Sequence, residues 1–266
     1  MKYEALALLH SHLLKQYSKQ TARVYLSKLD ALLLGQDPIN TITNFDMEMV
    51  LINLSKIKYK NPFSQAKNAL LLFCSCHNII ISSCHQNEID QLEGLTKRKY
   101  RKMKPVSFEN IKATIDRLKN PKLKLSFQAL YKTGLRVSEL AQITPNDCHV
   151  SDDMIQLSFI GKGGNRENTT LTNNDDDAVF FERLVSMIKA TKQADKVFYS
   201  AIYLQEKAKK YGFTCRDLRR AYAKLEYQKT KSKIHVKEKL RHSSIKSTNI
   251  YLKSKVSVRK RGNKPK

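Results

Sequence analysis

Long apolar runs and acidic residues are scarce in this 266-residue sequence. No stretch of 18 or more apolar residues occurs, so the sequence predicts no membrane span and no membrane partner. Met1–Glu4 lacks the layout of a signal peptide. Asp and Glu number 24 against 49 Lys and Arg, which gives a net charge of +25. A polyanion is therefore the expected partner, and nucleic acid is favoured because no amphipathic membrane anchor is evident.

The five cysteines are odd in number, which argues against a disulfide framework. Three of them cluster at Cys74, Cys76 and Cys84. We expect reduced thiols in a cytoplasmic protein associated with nucleoid, viral or plasmid DNA. Nearby His77 and His85 raise the possibility of zinc, but the spacing is not one of the usual finger spacings. Buried core cysteines are favoured instead, and neither a metal nor another cofactor is expected.

Charge divides the chain unequally and indicates two domains. Residues 1–95 carry 9 Lys and Arg against 8 Asp and Glu, whereas residues 96–266 carry 40 against 16. Helical periodicity predicts four short helices in the first part. We therefore predict a helical N-terminal domain over 1–95, a basic linker over 96–104 and a second domain over 105–266 that ends in a basic C-terminal tail. The expected fold class is mainly α with a small β-hairpin or sheet (α+β).

The linker is the most concentrated run of positive charge. Six of the eight residues in Lys97–Lys104 are cationic, and such a run repels itself and stays extended. We expect it to follow a DNA backbone; a surface loop or a localisation signal is the alternative. The linker residues predicted to bind DNA are Lys97, Arg98, Lys99, Arg101 and Lys102. In the first domain, Thr21 and Arg23 follow a polar turn and are assigned the same role, with an ordinary solvated face as the alternative.

Two candidate phosphate-binding cations come early in the second domain. Arg136 lies in Gly134–Leu140, between two predicted helices and near the start of the second, where an anion is favoured. The alternative is an arginine that pairs with Glu139 on the next turn. Lys162 lies at the glycine-rich tip of a predicted hairpin, where the backbone can approach a ligand closely. The tip does not match a nucleotide-binding P-loop, because the required Gly-Lys-Ser/Thr and following helix are missing.

The C-terminal segment Phe213–Tyr251 has the greatest density of chemically useful side chains. Arg216 and Arg219 stand one helical turn apart on a predicted helix. His242 follows in a loop, and Tyr251 comes nine positions later on another predicted helix. Several cations, one imidazole and one phenol suit the binding of a phosphodiester and its attack by tyrosine without a metal.

In this order and spacing, the residues resemble the tyrosine recombinase (phage integrase) family, over nearly the whole chain. That family has an arginine in Thr-Gly-Leu-Arg-x-x-Glu-Leu, a hairpin lysine, His-x-Leu-Arg, and Leu-Gly-His followed by a tyrosine nine positions later. The corresponding segments here are Thr133–Leu140, Lys162, Arg216–Arg219, Leu240–His242 and Tyr251. Arg216 replaces the usual histidine and Arg241 the usual glycine. Arginine cannot serve as a base at neutral pH, so Arg216 is expected only to clamp phosphate.

The resemblance implies a helical core-binding domain of SAM-like fold and a catalytic domain. Tyr251 would attack a DNA phosphodiester and form a 3′-phosphotyrosyl bond, without metal or ATP. Arg136 and Arg219 would bind the non-bridging oxygens, and Lys162 would protonate the leaving 5′-oxygen. His242 would hydrogen-bond the phosphate or assist the phenol.

The implied partners are double-stranded DNA target sites, three further copies of the chain in a tetramer, and accessory DNA-bending or directionality factors. One alternative is a DNA-binding regulator that keeps the fold without the chemistry, favoured by the missing histidine. Another is a telomere resolvase or a type IB topoisomerase-like enzyme. An RNA-binding protein is a weaker alternative, because no RNA-binding module is recognisable.

Overall fold

The computed structural model describes residues 5–36, 45–97, 106–161, 163–173, 178–254 and 256–257. The chain divides into two compact units, Met1–Lys102 and Met103–Lys266. No helix in these ranges is long and apolar enough to cross a membrane. Several predicted features lie outside the described residues: Lys162, the linker residues Arg98, Lys99, Arg101 and Lys102, and the basic C-terminal tail.

The first unit contains five helices in its described part: α1 (Ala5–Gln16), α2 (Lys19–Leu32), α3 (Met47–Ser55), α4 (Lys60–Cys76) and α5 (Ser83–Leu95). Ser18 caps α2 by accepting a hydrogen bond from the Thr21 amide at 3.2 Å. The prediction of four helices was wrong, because the described part has five. Helix α5 was missed because it is mostly polar and buries only Ile89 fully. Cys74 lies in the core of this unit, as predicted, and burial raises its pKa to about 12.

The second unit is also mainly helical. Its helices are α6 (Phe108–Asp116), α7 (Pro121–Thr133), α8 (Val137–Leu140), α9 (Ala178–Ala190), α10 (Ala201–Lys210), α11 (Cys215–Thr230), α12 (Lys233–Lys239) and α13 (Ile245–Leu252). Ser107 caps α6 and Pro121 is the first residue of α7, positions that these residue types favour. A large apolar cluster around Phe127 and Leu218 joins helices α6 to α11 to the sheet.

The strands form one small antiparallel sheet and one short parallel pair. The sheet has the order β2 (Cys148–Val150), β3 (Met154–Ile160), β4 (Arg166–Thr172). The predicted hairpin of β3 and β4 is confirmed, and Ile155, Leu157 and Phe159 on β3 point into the core. The three-residue β2 was not predicted. The parallel pair joins β1 (Val106–Ser107) to β5 (Val256–Ser257).

The C-terminal helices are held by a smaller cluster of their own. Ala223 of α11 and Val236 of α12 are fully buried in it, together with Leu240 in the loop that follows. Tyr222 and Tyr251 pack against its edge. This packing fixes α13, the helix with the candidate nucleophile, against α11 and α12.

Candidate active site

Glu139 on α8 is a buried carboxylate that three arginines surround. We call these three residues, Arg136, Arg219 and Arg241, the arginine cluster. Glu139 accepts a hydrogen bond from Arg136 Nη1, and its Oε2 lies 3.7 Å from Arg219 Nη1 and 3.3 Å from Arg241 Nη2. Burial raises its pKa, but hydrogen bonds from Arg136 and the charges of Arg136 and Arg241 outweigh this and hold the pKa below its ordinary value. Glu139 and Glu167, which pairs with Arg241, supply two carboxylates against three guanidinium groups, so a net positive charge remains that suits an anionic ligand.

Arg136 lies at the turn between α7 and α8, as the sequence predicts. Its backbone amide donates to Glu139 Oε2 at 2.7 Å, and its Nη2 lies 3.5 Å from the carbonyl oxygen of Arg241. The pairing with Glu139 that the sequence offered as the alternative is therefore present. Its side chain is nevertheless 30% exposed, so part of the guanidinium remains open to a ligand.

Arg219 on α11 is almost wholly buried. It donates hydrogen bonds to the carbonyl oxygens of Gly134 and Leu240, which ties the α7–α8 turn to the loop after α12. Burial, followed by the charge of Arg136, lowers its pKa to about 10. The group stays protonated at neutral pH and contributes a fixed positive charge. Its Nε is buried and has no hydrogen-bond partner among the described residues.

Arg216 differs from Arg219 in its surroundings. It is exposed near the start of α11, and no described residue forms a hydrogen bond or ion pair with it. The structure therefore does not join it to the arginine cluster, and its role as a phosphate clamp stays a prediction.

His242 and Tyr251 lie next to each other, although they come from different elements. The imidazole and phenol rings meet edge to face, with centroids 4.9 Å apart. His242 Nδ1 and the hydroxyl of buried Thr248 on α13 share a hydrogen bond of 3.0 Å, which orients the ring. Burial, helped by the arginine cluster, lowers the pKa of His242 to about 4, so the imidazole is neutral at physiological pH. The Tyr251 hydroxyl makes no hydrogen bond to the described residues.

Arg220 lies beside Tyr251, a contact that the sequence did not predict. Its guanidinium carbon lies 5.8 Å from the centre of the Tyr251 ring, and its Nη1 donates to Asp217 Oδ1 at 3.0 Å. Asp217 in turn accepts from the Thr214 amide at 3.0 Å and hydroxyl at 2.7 Å at the start of α11. The signal in the sequence was the acid three residues before Arg220, which fits an ion pair along one helix face.

The remaining predicted DNA contacts belong to the first unit or to undescribed residues. Arg23 is exposed on α2, and the Thr21 hydroxyl lies 3.0 Å from the Ser18 hydroxyl at the helix start. Lys97 is exposed and joins Lys58 and Lys60 through backbone hydrogen bonds of 3.0 and 3.2 Å. Their role in binding DNA stays a prediction.

Comparison with known proteins agrees with this fold. The profile of the phage integrase family matches residues 103–257. Tyrosine recombinase XerA of Saccharolobus solfataricus is 29% identical over 169 residues, which cover 59% of this chain and 54% of that protein. The chain thus spans about half the length of this curated relative.

Two solved structures show the similarity of fold. The XerH recombinase in a pre-cleavage complex with difH is 18% identical, with a TM-score of 0.61 over 87% of this chain and 75% of that one. A lambda integrase tetramer on a Holliday junction is 18% identical, with a TM-score of 0.62 over 90% and 76%. With the family profile spanning more than half of its residues, the chain belongs to the phage integrase family of tyrosine recombinases.

Proposed function

We propose that the chain is a site-specific DNA recombinase that cleaves and rejoins DNA through a covalent bond to Tyr251. The observation that carries the proposal is the convergence of side chains far apart in sequence. The α7–α8 turn supplies Arg136, α11 supplies Arg219, and the loop and helix after α12 supply His242 and Tyr251. The positive arginine cluster beside a phenol suits a phosphodiester, whose charge increases as it is attacked.

In the proposed step, the Tyr251 oxygen attacks phosphorus and the bond to the 5′-oxygen breaks. The arginine cluster stabilises the negative charge through Arg136 and Arg219. The leaving oxygen takes a proton from Lys162, and the phenol loses its own proton as the new bond forms. His242 is neutral and held by Thr248, so it can hydrogen-bond the phosphate or the phenol while that proton passes to solvent.

Because the phosphotyrosyl bond preserves the energy of the cleaved linkage, attack by a second 5′-hydroxyl releases Tyr251 and completes strand exchange. The step as written uses no ATP and no metal ion. Residues 1–95 and the linker 96–104 would grip the duplex, and four copies would assemble on two target sites. The solved tetramer of lambda integrase on a Holliday junction supports this assembly by analogy of fold.

The test is trapping of the covalent adduct. The protein is mixed with fragments of the genome that encodes it, in EDTA and without nucleotide, and the reaction is stopped with detergent. We expect protein-linked DNA from the native chain and none from Tyr251→Phe, with duplex binding retained in both. Sequencing the trapped fragments identifies the target site.

Tyr222→Phe is a matched control, because Tyr222 is a neighbouring phenol in the same cluster. Burial raises the pKa of Tyr222 to about 12, which makes it a poor nucleophile, and adduct is expected to persist in this variant. Adduct that survives Tyr251→Phe would overturn the assignment of the nucleophile. Duplex binding with no adduct from the native chain would favour a DNA-binding regulator without chemistry.

A further inference from the structure

Arg241 occupies a backbone conformation that side chains rarely adopt. Its φ is +52°, in the left-handed region that glycine favours. The family pattern has glycine at this position. A positive φ is therefore expected here, whereas an arginine side chain is not. An arginine at such a position offers contacts that a glycine cannot make.

These contacts reach the two arms of the β3–β4 hairpin. Arg241 Nε lies 3.0 Å from Glu167 Oε2 on β4, and its guanidinium carbon lies 4.8 Å from the centre of the Phe159 ring on β3. Phe159 and Glu167 are register partners in the antiparallel ladder, so they share one face of the hairpin. One guanidinium thus contacts a cross-strand pair at the turn end of the hairpin.

The same guanidinium also reaches the arginine cluster. Its Nη2 lies 3.3 Å from Glu139 Oε2, the atom nearest Arg219. The side chain of Arg241 is 15% exposed, so both ion pairs are partly shielded from water. Glu167 Oε2 is buried without a hydrogen bond among the described residues, which leaves the charge of Arg241 to compensate it.

Glu167 is also packed against the beginning of the hairpin turn. A β-carbon placed on Gly161 would lie 2.5 Å from Glu167 Oε1, and the Gly161 amide donates to the Asn165 carbonyl at 2.8 Å. The segment closed by this hydrogen bond contains Lys162. Glu167 Oε1 therefore lies against the start of that turn.

We propose that Arg241 is a positioning residue of the recombinase site. It fastens the hairpin, through Glu167 and Phe159, to the Glu139 carboxylate that also holds Arg136 and Arg219. The start of the hairpin turn at Gly161 is thereby held to the arginine cluster. This inference rests on the proposed function, since it assigns the contact to positioning the hairpin beside the proposed phosphate pocket.

The test compares Arg241→Gly and Glu167→Gln, alone and together, with the native chain. Glycine relieves the positive φ, so the first variant loses the contact without straining the backbone. Arg166→Gln is the matched control, because Arg166 is the neighbouring residue on β4, is exposed and pairs instead with Asp147 at 3.2 Å. Two properties are measured. The first is the single-turnover rate of adduct formation at a saturating concentration of the target duplex that trapping identifies. The second is the rate of hydrogen exchange at the Gly161 amide in the absence of DNA.

We expect Arg241→Gly and Glu167→Gln each to slow adduct formation by about tenfold to a hundredfold while duplex affinity falls by no more than about threefold. The double variant is expected to be no slower than the slower single one, because Arg241→Gly already removes the contact that Glu167→Gln removes. Exchange at Gly161 should accelerate in all three variants and stay unchanged in Arg166→Gln.

Unchanged adduct rates in both single variants, or losses that multiply in the double variant, would overturn the positioning role. A loss confined to duplex affinity would do the same, since it would assign Arg241 to DNA binding. Absence of Tyr251-dependent adduct from the native chain would instead refute the proposed function. In that case unchanged exchange at Gly161 would still reject the contact between hairpin and pocket.

Discussion

At the scale of single residues, burial and an excess of positive charge decide which side chains of the site are charged. The arginine cluster surrounds Glu139, whose side chain is 3% exposed, so loss of the carboxylate would leave buried Arg219 without an ion-pair partner among the described residues. The same positive charges act on His242 and keep it from gaining a proton. The positive charge that would suit a phosphate therefore also holds the imidazole neutral.

This neutral imidazole makes stability depend on pH. The pKa of His242 is about 4 in the fold against an ordinary 6.5, so the unfolded chain binds a proton in a range where the folded chain does not. The contribution of His242 is fully present above about pH 6.5 and is lost as the pH falls through about 4. Between pH 7 and pH 5 we expect this histidine to lower the free energy of unfolding by about 2 kcal/mol.

Urea unfolding of the native chain and of His242→Gln at both pH values measures this effect. The variant should lose about 2 kcal/mol less than the native chain over the interval, whatever the other titrating groups contribute to both. Equal losses in the two proteins would show that His242 is protonated in the fold.

At the scale of elements, the turn between α7 and α8 depends on Gly134. Its φ is +64°, and a β-carbon there would lie 2.3 Å from Cδ1 of Tyr222 on α11. The Gly134 carbonyl also accepts from Arg219, so the close approach of the turn to α11 serves the site directly.

Gly134→Ala is accordingly expected to destabilise the protein. The positive φ costs about 1–2 kcal/mol, and overpacking against Tyr222 adds about 1–3 kcal/mol. Gly94→Ala in α5 is the control, because nothing lies within 4 Å of a β-carbon there, and it should be neutral or slightly stabilising. Chemical denaturation gives both values; equal stability of the two variants would contradict the role assigned to the turn.

Elements with strong local signals could be predicted from the sequence. Ser107 and Pro121 are residue types that favour the start of a helix, and they begin α6 and α7. Glycines indicate the hairpin turn. Helix α5 was missed because it buries a single residue fully, Ile89, and so has little apolar periodicity. The three-residue β2 was missed because its pairing with β3 is a tertiary contact.

The resemblance to the family named Arg136, Arg219, His242 and Tyr251, but it did not indicate their partners. The structure brings these four side chains together, and their roles stay predictions. The contact of Arg220 with Tyr251 depends on how α13 packs against α11, which no local pattern encodes. The exposure of Arg216 beside the burial of Arg219 likewise depends on which face of α11 meets the core.

At the scale of the whole molecule, positive charge is concentrated after residue 95. If the linker follows a DNA backbone, replacing Lys97, Arg98, Lys99, Arg101 and Lys102 by glutamine removes up to five phosphate contacts. The slope of log affinity against log salt should then become shallower by up to about 4.5, since each contact contributes about 0.9.

Fluorescence anisotropy with a labelled duplex at several salt concentrations measures the slope. Thermal melting of the same variant checks that the fold is retained. An unchanged slope in a folded variant would place the linker away from the duplex and leave the charge of the second unit to account for binding.

The parallel pair of β1 and β5 gives the second unit a mechanical property. Val106 pairs with Val256, five residues beyond Tyr251, so the stretch that enters this unit and the stretch that follows α13 share one ladder. A pull on the chain at Val106 would therefore act on β5 as well, and β5 follows the helix that carries Tyr251.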